Sequence, residues 1–227
     1  ISKILDRLCM IYKYCAIPAV QEIGNYSLDI IKTHIFFRLV NYERNIKMLM
    51  QIPHKKYLDL AVTFHCLVRG EDDSIHTIPI TYNHLKRWGI TVDDVLKLAY
   101  KNTRKLFPPA LKSMEEVIRD FPCNDKKDDE RSETCPMYIL SNEKGIYGAV
   151  YIIYKDIIRE FARLLNSNLY ILPSSIHEVI LIPMEDNLDR EYLRRLVLDI
   201  NDSMVAENEI LSDNVYIYSL ETDEIRR

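Results

Sequence analysis

LDLAVTFHCLVRGEDDSIHTIPITY, residues 58–82, is the stretch on which the fold class turns. Leu58, Leu60, Val62, Phe64, Cys66 and Val68 alternate with Asp59, Thr63 and His65, the period-two pattern of a strand with one face toward a core. A helical spacing also runs through Tyr57, Leu60, Ala61, Phe64, Leu67 and Val68, but the β-branched and aromatic content favours the strand. Residues 69–74 then read as a polar turn and 75–82 as a second strand, which makes the pair an antiparallel hairpin. Pro79 has no N–H for a ladder and puts the second strand at an edge or a bulge.

Upstream, residues 34–41 (HIFFRLVN) favour a strand or a short buried helix, and 41–51 fit either period. Ile4, Leu5, Leu8, Ile11, Tyr12 and Cys15 predict an amphipathic helix over 2–15 that stops before Pro18. Downstream, Thr91 with Asp94 forms a capping-box-like start, and Val92, Val95, Leu96 and Ala99 carry a helix to about Leu106. Pro108 and Pro109 end it, and Ser113 with Glu116 opens a short helix that finishes near Asp120.

Residues 120–136 (DFPCNDKKDDERSETCP) have no periodicity and are dense in charge, so they read as a solvated connection between two halves. Beyond it the pattern predicts a hairpin (137–141 and 148–154) and a helix with Ile158, Phe161, Ala162 and Leu165 on one face. Two β-rich runs follow at 169–173 and 178–183, then a helix over 189–205 that buries Leu193, Leu196, Val197, Ile200 and Met204, and a last strand at 215–219.

Hairpins mixed with helices, without regular βαβ alternation, give an α+β class with largely antiparallel sheets and packed helices. The expected organisation is an N-terminal helical segment (1–33), a first α+β half (34–121), an exposed linker (122–136) and a second α+β half (137–227). A weak echo at an offset of 101 pairs Leu39 with Leu140, Ala61 with Ala162 and Ser74-Ile75-His76 with Ser175-Ile176-His177, and raises a duplication as one reading.

Composition narrows the function classes. The chain has 227 residues, is 48% apolar and 28% charged, and carries a formal charge of −4, so no global attraction to phosphate backbones or anionic lipid is available. Neither nucleic acid nor membrane is expected as a partner, and the longest strongly apolar stretch, residues 149–154, is far short of the about 20 needed to span a bilayer. Five glycines, none in a G-x-G-x-x-G or G-x-x-x-x-G-K-[ST] arrangement, exclude those two nucleotide-binding loops, whose backbone must approach phosphate closely. Cys9, Cys15, Cys66, Cys123 and Cys135 are an odd set with no C-x-x-C, which argues against a disulfide framework and a zinc ribbon and points to reduced thiols in the cytoplasm.

The densest polar cluster, Pro173-Ser174-Ser175-Ile176-His177-Glu178, interrupts two apolar runs. If extended, it puts Ser175 and His177 on one face and Ser174 and Glu178 on the other. A serine and a histidine near a carboxylate are the raw material of nucleophilic catalysis, yet residues two apart on one strand are too constrained for a base and its nucleophile. The same segment also reads as a turn in which Pro173 fixes the backbone and the serines bond local amides. His177-Glu178 opens like H-E-x-x-H, but Leu181 stands where the second histidine belongs. The other histidines are scattered, so no metal site and no cofactor is expected.

A second cluster combines Asn41, Tyr42, Glu43, Arg44 and Asn45 with His54 and Asp59; there Arg44 could clamp a carboxylate while the asparagines serve turns. Tyr138, Tyr147, Tyr151, Tyr154 and Tyr170 could line an amphipathic groove or edge a core.

LVNYERN, IPHKKYLDLAV, NHLKRWGITVDDVLKLAYKNT, IYGAVYIIY, LYILPSSIHEVILIP and LSDNVYIY together resemble an uncharacterised domain-of-unknown-function family of bacterial, mainly gut-associated, intracellular proteins. The resemblance spans about 33–218, with LPSSIHEVILIP its most specific string, and it is distantly similar to a wider uncharacterised bacterial family. It implies a further N-terminal region in relatives but no established activity. The matching positions are Asn41, Asn45, Pro53, His54, Asp59, Trp88, Asn102, Pro173, Ser174, Ser175, His177, Glu178, Asn201, Ser212 and Asp213.

The expectation is therefore a cytoplasmic, non-enzymatic module that binds a protein or a small molecule through residues 173–178. The ligand-binding candidates are Ser174, Ser175, His177, Glu178, Asn41, Arg44 and His54. Two alternatives stand beside it. One is a hydrolase or transferase with His177 as general base, drawing its catalytic residues from Ser174, Ser175 and Glu178, with a serine or a water as nucleophile. The other is a structural or oligomeric scaffold.

Overall fold

The computed structural model describes residues 26–69, 75–120, 136–173, 175–185 and 188–227. The helix expected over 2–15, most of the 69–74 turn and all of the 122–136 connection but Pro136 lie outside the described residues. The fold is α+β with two antiparallel sheets. The chain divides into two compact units that are interleaved in sequence. The first takes the described residues of Ile1–Arg38, Asn45–Lys55 and Val62–Leu106, and the second those of Leu39–Arg44, Lys56–Ala61 and Phe107–Arg227.

The first sheet has the order β1 (Ile35–Asn41), β3 (Leu60–Arg69), β2 (His54–Tyr57), and β4 (Ile75–Pro79) also pairs with β3. The β3–β4 hairpin is antiparallel, from Arg69 opposite Ile75 to His65 opposite Pro79, so the proline sits at the strand's last position. Burial departs from simple alternation: Val62, Phe64, Cys66 and Val68 are buried, and so are Thr63, His65 and Leu67, so the strand is covered on both faces. Four helices accompany this region: α1 (Leu28–Ile31), α2 (Ile46–Leu49), α3 (Tyr82–Trp88) and α4 (Val92–Leu106).

Helix α4 follows its sequence signals closely. Thr91 N–H donates to the Asp94 carboxylate at 3.0 Å and Asp94 N–H donates back to the Thr91 hydroxyl at 3.2 Å, the reciprocal box that occupies the unsatisfied first-turn donors. Its inner face buries Val95, Ala99, Asn102 and Thr103. Asn102 donates to the carbonyls of Lys32 at 2.6 Å and Ile35 at 2.9 Å, and the Phe37 N–H donates to the Thr103 hydroxyl, which fastens the helix to the start of β1. Helix α3 was not evident in sequence. Its box is Thr81 with His84, a histidine where Glu or Gln is usual, and Gly89 ends it at φ 65°, a left-handed cap that favours glycine.

The second unit is built on a six-stranded sheet in the order β10 (Glu224–Arg226), β9 (Tyr216–Ser219), β7 (Leu169–Leu172), β8 (Val179–Pro183), β6 (Tyr138–Asn142), β5 (Pro109–Ser113). Its helices are α5 (Met114–Asp120), α6 (Lys155–Leu165) and α7 (Arg190–Met204). Register assigns the faces, because residues directly opposite in a ladder project to the same side. Leu140 pairs with Val179, Ile171 with Leu181 and with Tyr216, and Leu169 with Tyr218, and all seven are fully buried.

Residues Gly148–Ile153, expected as a strand, form a 3₁₀ helix instead. An apolar run this short fits a strand or a buried helix equally well, and here the buried turn packs beside β6 and β8 and leads into α6. The echo at offset 101 is not a structural repeat, since Ala61 lies on a strand and Ala162 on a helix. The opposite face of the sheet carries Tyr170, Leu172 and Ile182, covered by Leu193 and Val197 of α7. That cover is incomplete over the β8–β6–β5 end, where Ile180, Ile139, Lys112, Ser141 and Ala110 share the face by register.

Candidate functional site

Residues 173–178 lie between two adjacent antiparallel strands, and several polar groups among the described residues of this connection are tied down. The Ser175 hydroxyl accepts the His177 N–H at 2.9 Å, closing a local turn, and Ser175 itself is buried in an isolated antiparallel bridge with Ile210. Ile176 N–H donates to the Glu209 carbonyl at 3.0 Å, and Ser212 N–H donates to the Pro173 carbonyl at 3.0 Å. On the other side the His177 carbonyl accepts two bonds, from Gly148 N–H at 2.8 Å and from the Ser141 hydroxyl at 2.8 Å. Ser174 lies outside the described residues.

The His177 ring stacks on Tyr147 at 5.7 Å and accepts the Tyr147 N–H on Nδ1 at 3.3 Å. An accepting Nδ1 puts the ring proton on Nε2, which faces the Glu209 carboxylate at 3.4 Å. Tyr147 is at φ 55°, a left-handed conformation uncommon for a non-glycine residue. His177 thus supports a tight corner. It does not line the cleft described next, whereas Ser175 and Glu178 do.

The cleft, about 830 Å³, lies over the uncovered end of the second sheet. Its floor is apolar: Ala110 of β5, Ile139 of β6, Ile180 of β8, and Ile200 and Val205 at the end of α7. Met114 and Val117 of α5 close one side, and the turn from Ser141 to Gly145, with Gly145 at φ 66°, brings Glu143 and Lys144 to the rim. Lys144 Nζ sits 5.0 Å from the centre of the Phe107 ring. Among the described residues Glu143 and Glu178 make no side-chain hydrogen bond or ion pair.

The other sequence candidates separate. Asn41 donates to the Leu211 carbonyl at 3.0 Å and accepts the Arg44 N–H at 2.9 Å, while Arg44 reaches one Asp213 oxygen at 3.2 Å, a single contact instead of a two-pronged clamp. Asn201 donates to the Ser212 carbonyl at 3.1 Å and to Asp213 at 2.8 Å. Asp59 accepts from the Ser212 hydroxyl at 2.6 Å, the Tyr216 phenol at 2.6 Å and Asn214 at 2.9 Å. Burial pushes its pKa up, but these three bonds outweigh burial and hold it below the ordinary carboxylate range. Burial and the neighbouring Asp59 push the Tyr216 phenol well above its ordinary value, so it stays a donor.

Residues 209–216 therefore serve as a common spine, with 173–177 bonded at one end of it and Asn41, Arg44 and Asp59 at the other. Most of this network's polar groups are paired, the buried Asn201 amide oxygen excepted, which suits scaffolding more than turnover. His54 belongs to the first unit, where its Nδ1 donates to the Ile52 carbonyl at 3.0 Å. Tyr151, Tyr154 and Tyr170 are buried, and Tyr138 meets Phe161 edge-on at 4.8 Å, so this set mainly edges the core, with Tyr138 also bordering a pocket of about 300 Å³ beside Ser113 and Met114.

The chain belongs to the family of unknown function DUF5688, matched over residues 1–220. No curated protein and no solved structure matches it. Among the described residues of this DUF5688 chain, no three His, Cys, Asp or Glu side chains are grouped to hold a metal ion, and no helix is long and apolar enough to cross a membrane. Cys66 is a buried free thiol, pushed up to about 12 by burial, which makes it a poor nucleophile near neutrality; the other four cysteines lie outside the described residues.

Sequence reasoning about the DUF5688 chain found Ser175 and Glu178 but missed the opposite wall of the cleft. Strand β5 was hidden because Pro108-Pro109 read only as a helix stop and PALKS has no alternating pattern. The Asn142–Gly145 turn did leave a signal, N-E-K-G between two apolar runs, of the kind that marks a structured turn.

Proposed function

We propose that this protein is a ligand-binding module whose site is the cleft walled by Ser175 and Glu178. The observation that carries the reading is the combination of an apolar sheet floor with a few convergent polar groups in a concavity of about 830 Å³, inside the range of about 300–1,000 Å³ typical of small-molecule sites. Ser175 and Glu178 reach that wall because the corner behind them is fixed by bonds to Ser141, Gly148 and Glu209, so the site is preformed and binding needs little ordering. The cytoplasm is the proposed compartment, supported by the odd cysteine count and the free, buried Cys66. Use of His177 as a general base finds less support, because its ring nitrogens face the Tyr147 N–H and the Glu209 carboxylate, and among the described residues no serine hydroxyl lies with them.

The test is a thermal-shift screen of small organic compounds against the wild type and Ala110→Trp, which puts an indole onto the cleft floor from an edge strand. A ligand at 100 times its Kd stabilises by about 2.7 kcal/mol, or roughly 5–10 °C for a chain of this size. Hits on the wild type that vanish with Ala110→Trp support the reading. Hits that shift both proteins equally, or no hit from a diverse set, would sink it.

A further inference from the structure

We infer that the ligand of this cleft is an organic cation, an ammonium or guanidinium group on an apolar body, and that Glu178 is its counter-charge. This deepens the proposed function and rests on it. Ser141 donates its hydroxyl proton to the His177 carbonyl at 2.8 Å, and the Asn142 amide donates to the Ile146 carbonyl at 2.6 Å while its oxygen accepts the Lys144 N–H at 2.9 Å. Lys144 places its ammonium over the Phe107 ring at 5.0 Å, and Lys112 has a partner of its own. The wall's donors are thus largely engaged before any ligand arrives, save the hydroxyl of Ser175, which accepts the His177 N–H and keeps its own proton for an acceptor on the ligand.

The acceptors are not engaged. Glu178 is partly buried against the apolar floor, and Glu143 stands on the rim; neither has a side-chain partner among the described residues. The partly buried Glu178 side chain shares the cleft with Ile180, and a cation that also carries apolar surface would satisfy floor and wall together. A carboxylate or phosphate ligand would instead meet Glu143 and Glu178 and depend on Lys144, already over an aromatic ring, or on Lys112, which already has a contact of its own.

The experiment uses three matched probes, 4-phenylbutylamine, 4-phenylbutanol and 4-phenylbutyrate, titrated at neutral pH into the wild type, Glu178→Gln and Ala110→Trp by ligand-observed NMR. Circular-dichroism melts check that each variant folds, which Glu178→Gln should, since among the described residues no bond depends on that carboxylate. The expected result is that the amine binds about tenfold more tightly than the alcohol, that Glu178→Gln removes this preference, and that Ala110→Trp weakens all three probes. Alcohol or butyrate binding as tightly as the amine, and blocked by Ala110→Trp, would overturn the cation inference and leave the cleft as a site. No binding by any probe, or binding indifferent to Ala110→Trp, would overturn both.

Discussion

Gly148 lies against His177 so closely that a side chain at 148 has no room: an added Cβ would come within 2.6 Å of the His177 carbonyl oxygen and 2.3 Å of the Ser141 hydroxyl. The same approach lets the Gly148 N–H reach that carbonyl at 2.8 Å. The connection that carries Ser175 and Glu178 is therefore held in place by an absence of side chain on the neighbouring helix.

From this contact we expect Gly148→Ala to destabilise the fold by about 1–3 kcal/mol, the range for forcing atoms into a filled interior. Two of the three nearest atoms are backbone, so rotating a side chain away cannot relieve the clash. Urea denaturation measures it. A change below about 0.5 kcal/mol, the level of neutral surface substitutions, would mean that the corner has slack the geometry does not suggest.

His177 and Glu178 are neighbours with opposite assignments, so substituting each should give opposite results. Alanine at 177 removes the acceptor for the Tyr147 N–H, the stack on Tyr147 and the contact with Glu209, and should cost about 1–2 kcal/mol of stability. Alanine at 178 removes a side chain with no partner among the described residues and should change stability by less than about 0.5 kcal/mol while weakening ligand binding. The reverse pattern in paired melts and titrations would exchange the two roles.

Two carboxylates with tertiary partners contribute to the acid limb of stability. Asp59 is held below its ordinary range by Ser212, Tyr216 and Asn214 against the opposing effect of burial. The Arg159 guanidinium first, and the Tyr218 phenol second, bring Asp223 down to about 2. A depressed folded pKa means that the unfolded chain takes up protons first, so each contribution is complete above the unfolded carboxylate value and disappears as pH falls through the folded one. Asp59→Asn and Asp223→Asn should each flatten the loss of stability between about pH 5 and pH 2 when urea midpoints are plotted against pH. Curves parallel to the wild type would show that these bonds do not distinguish the folded from the unfolded chain.

How much of this was legible depends on the range over which each interaction acts. Helix α4 could be read because its cap, periodicity and terminating prolines are all within its own residues, and β3 because alternation is local. The 3₁₀ helix at Gly148–Ile153 misled because its decisive bonds, Gly148 N–H to the His177 carbonyl and Ala149 N–H to the Ile176 carbonyl, come from another segment. Strand β5 exists because β6 pairs with it, Pro109 opposite Asn142 through Ser113 opposite Tyr138, and five residues with no pattern cannot announce that. At the site, polarity in an apolar context exposed Ser175 and Glu178. The cleft itself is a stretch of sheet beside the end of α7 that the helix leaves open, and such a gap is a property of packing with no local signature.

The last prediction concerns the first unit and a histidine that no sequence pattern marked. His65 is buried on β3 beside Phe36 at 5.8 Å; its Nε2 pairs with the Thr63 hydroxyl at 3.0 Å, and its Nδ1 has no hydrogen-bond partner among the described residues. Burial first, and the positive charge of Arg38 second, hold its pKa well below the ordinary 6.5. The folded protein thus keeps the ring neutral while the unfolded chain binds a proton near pH 6.5, so stability falls as pH drops below that value and stops falling only past the folded pKa. The limiting slope for one proton is about 1.4 kcal/mol per pH unit. His65→Leu fills similar space, removes the titration, and leaves Thr63 without its partner, so it should lower stability at pH 8 yet lose less between about pH 6.5 and pH 5. The check is the difference between wild-type and His65→Leu unfolding free energies at several pH values: it should shrink as pH falls across that window, and a constant difference would show that His65 is protonated equally in the folded and unfolded chains.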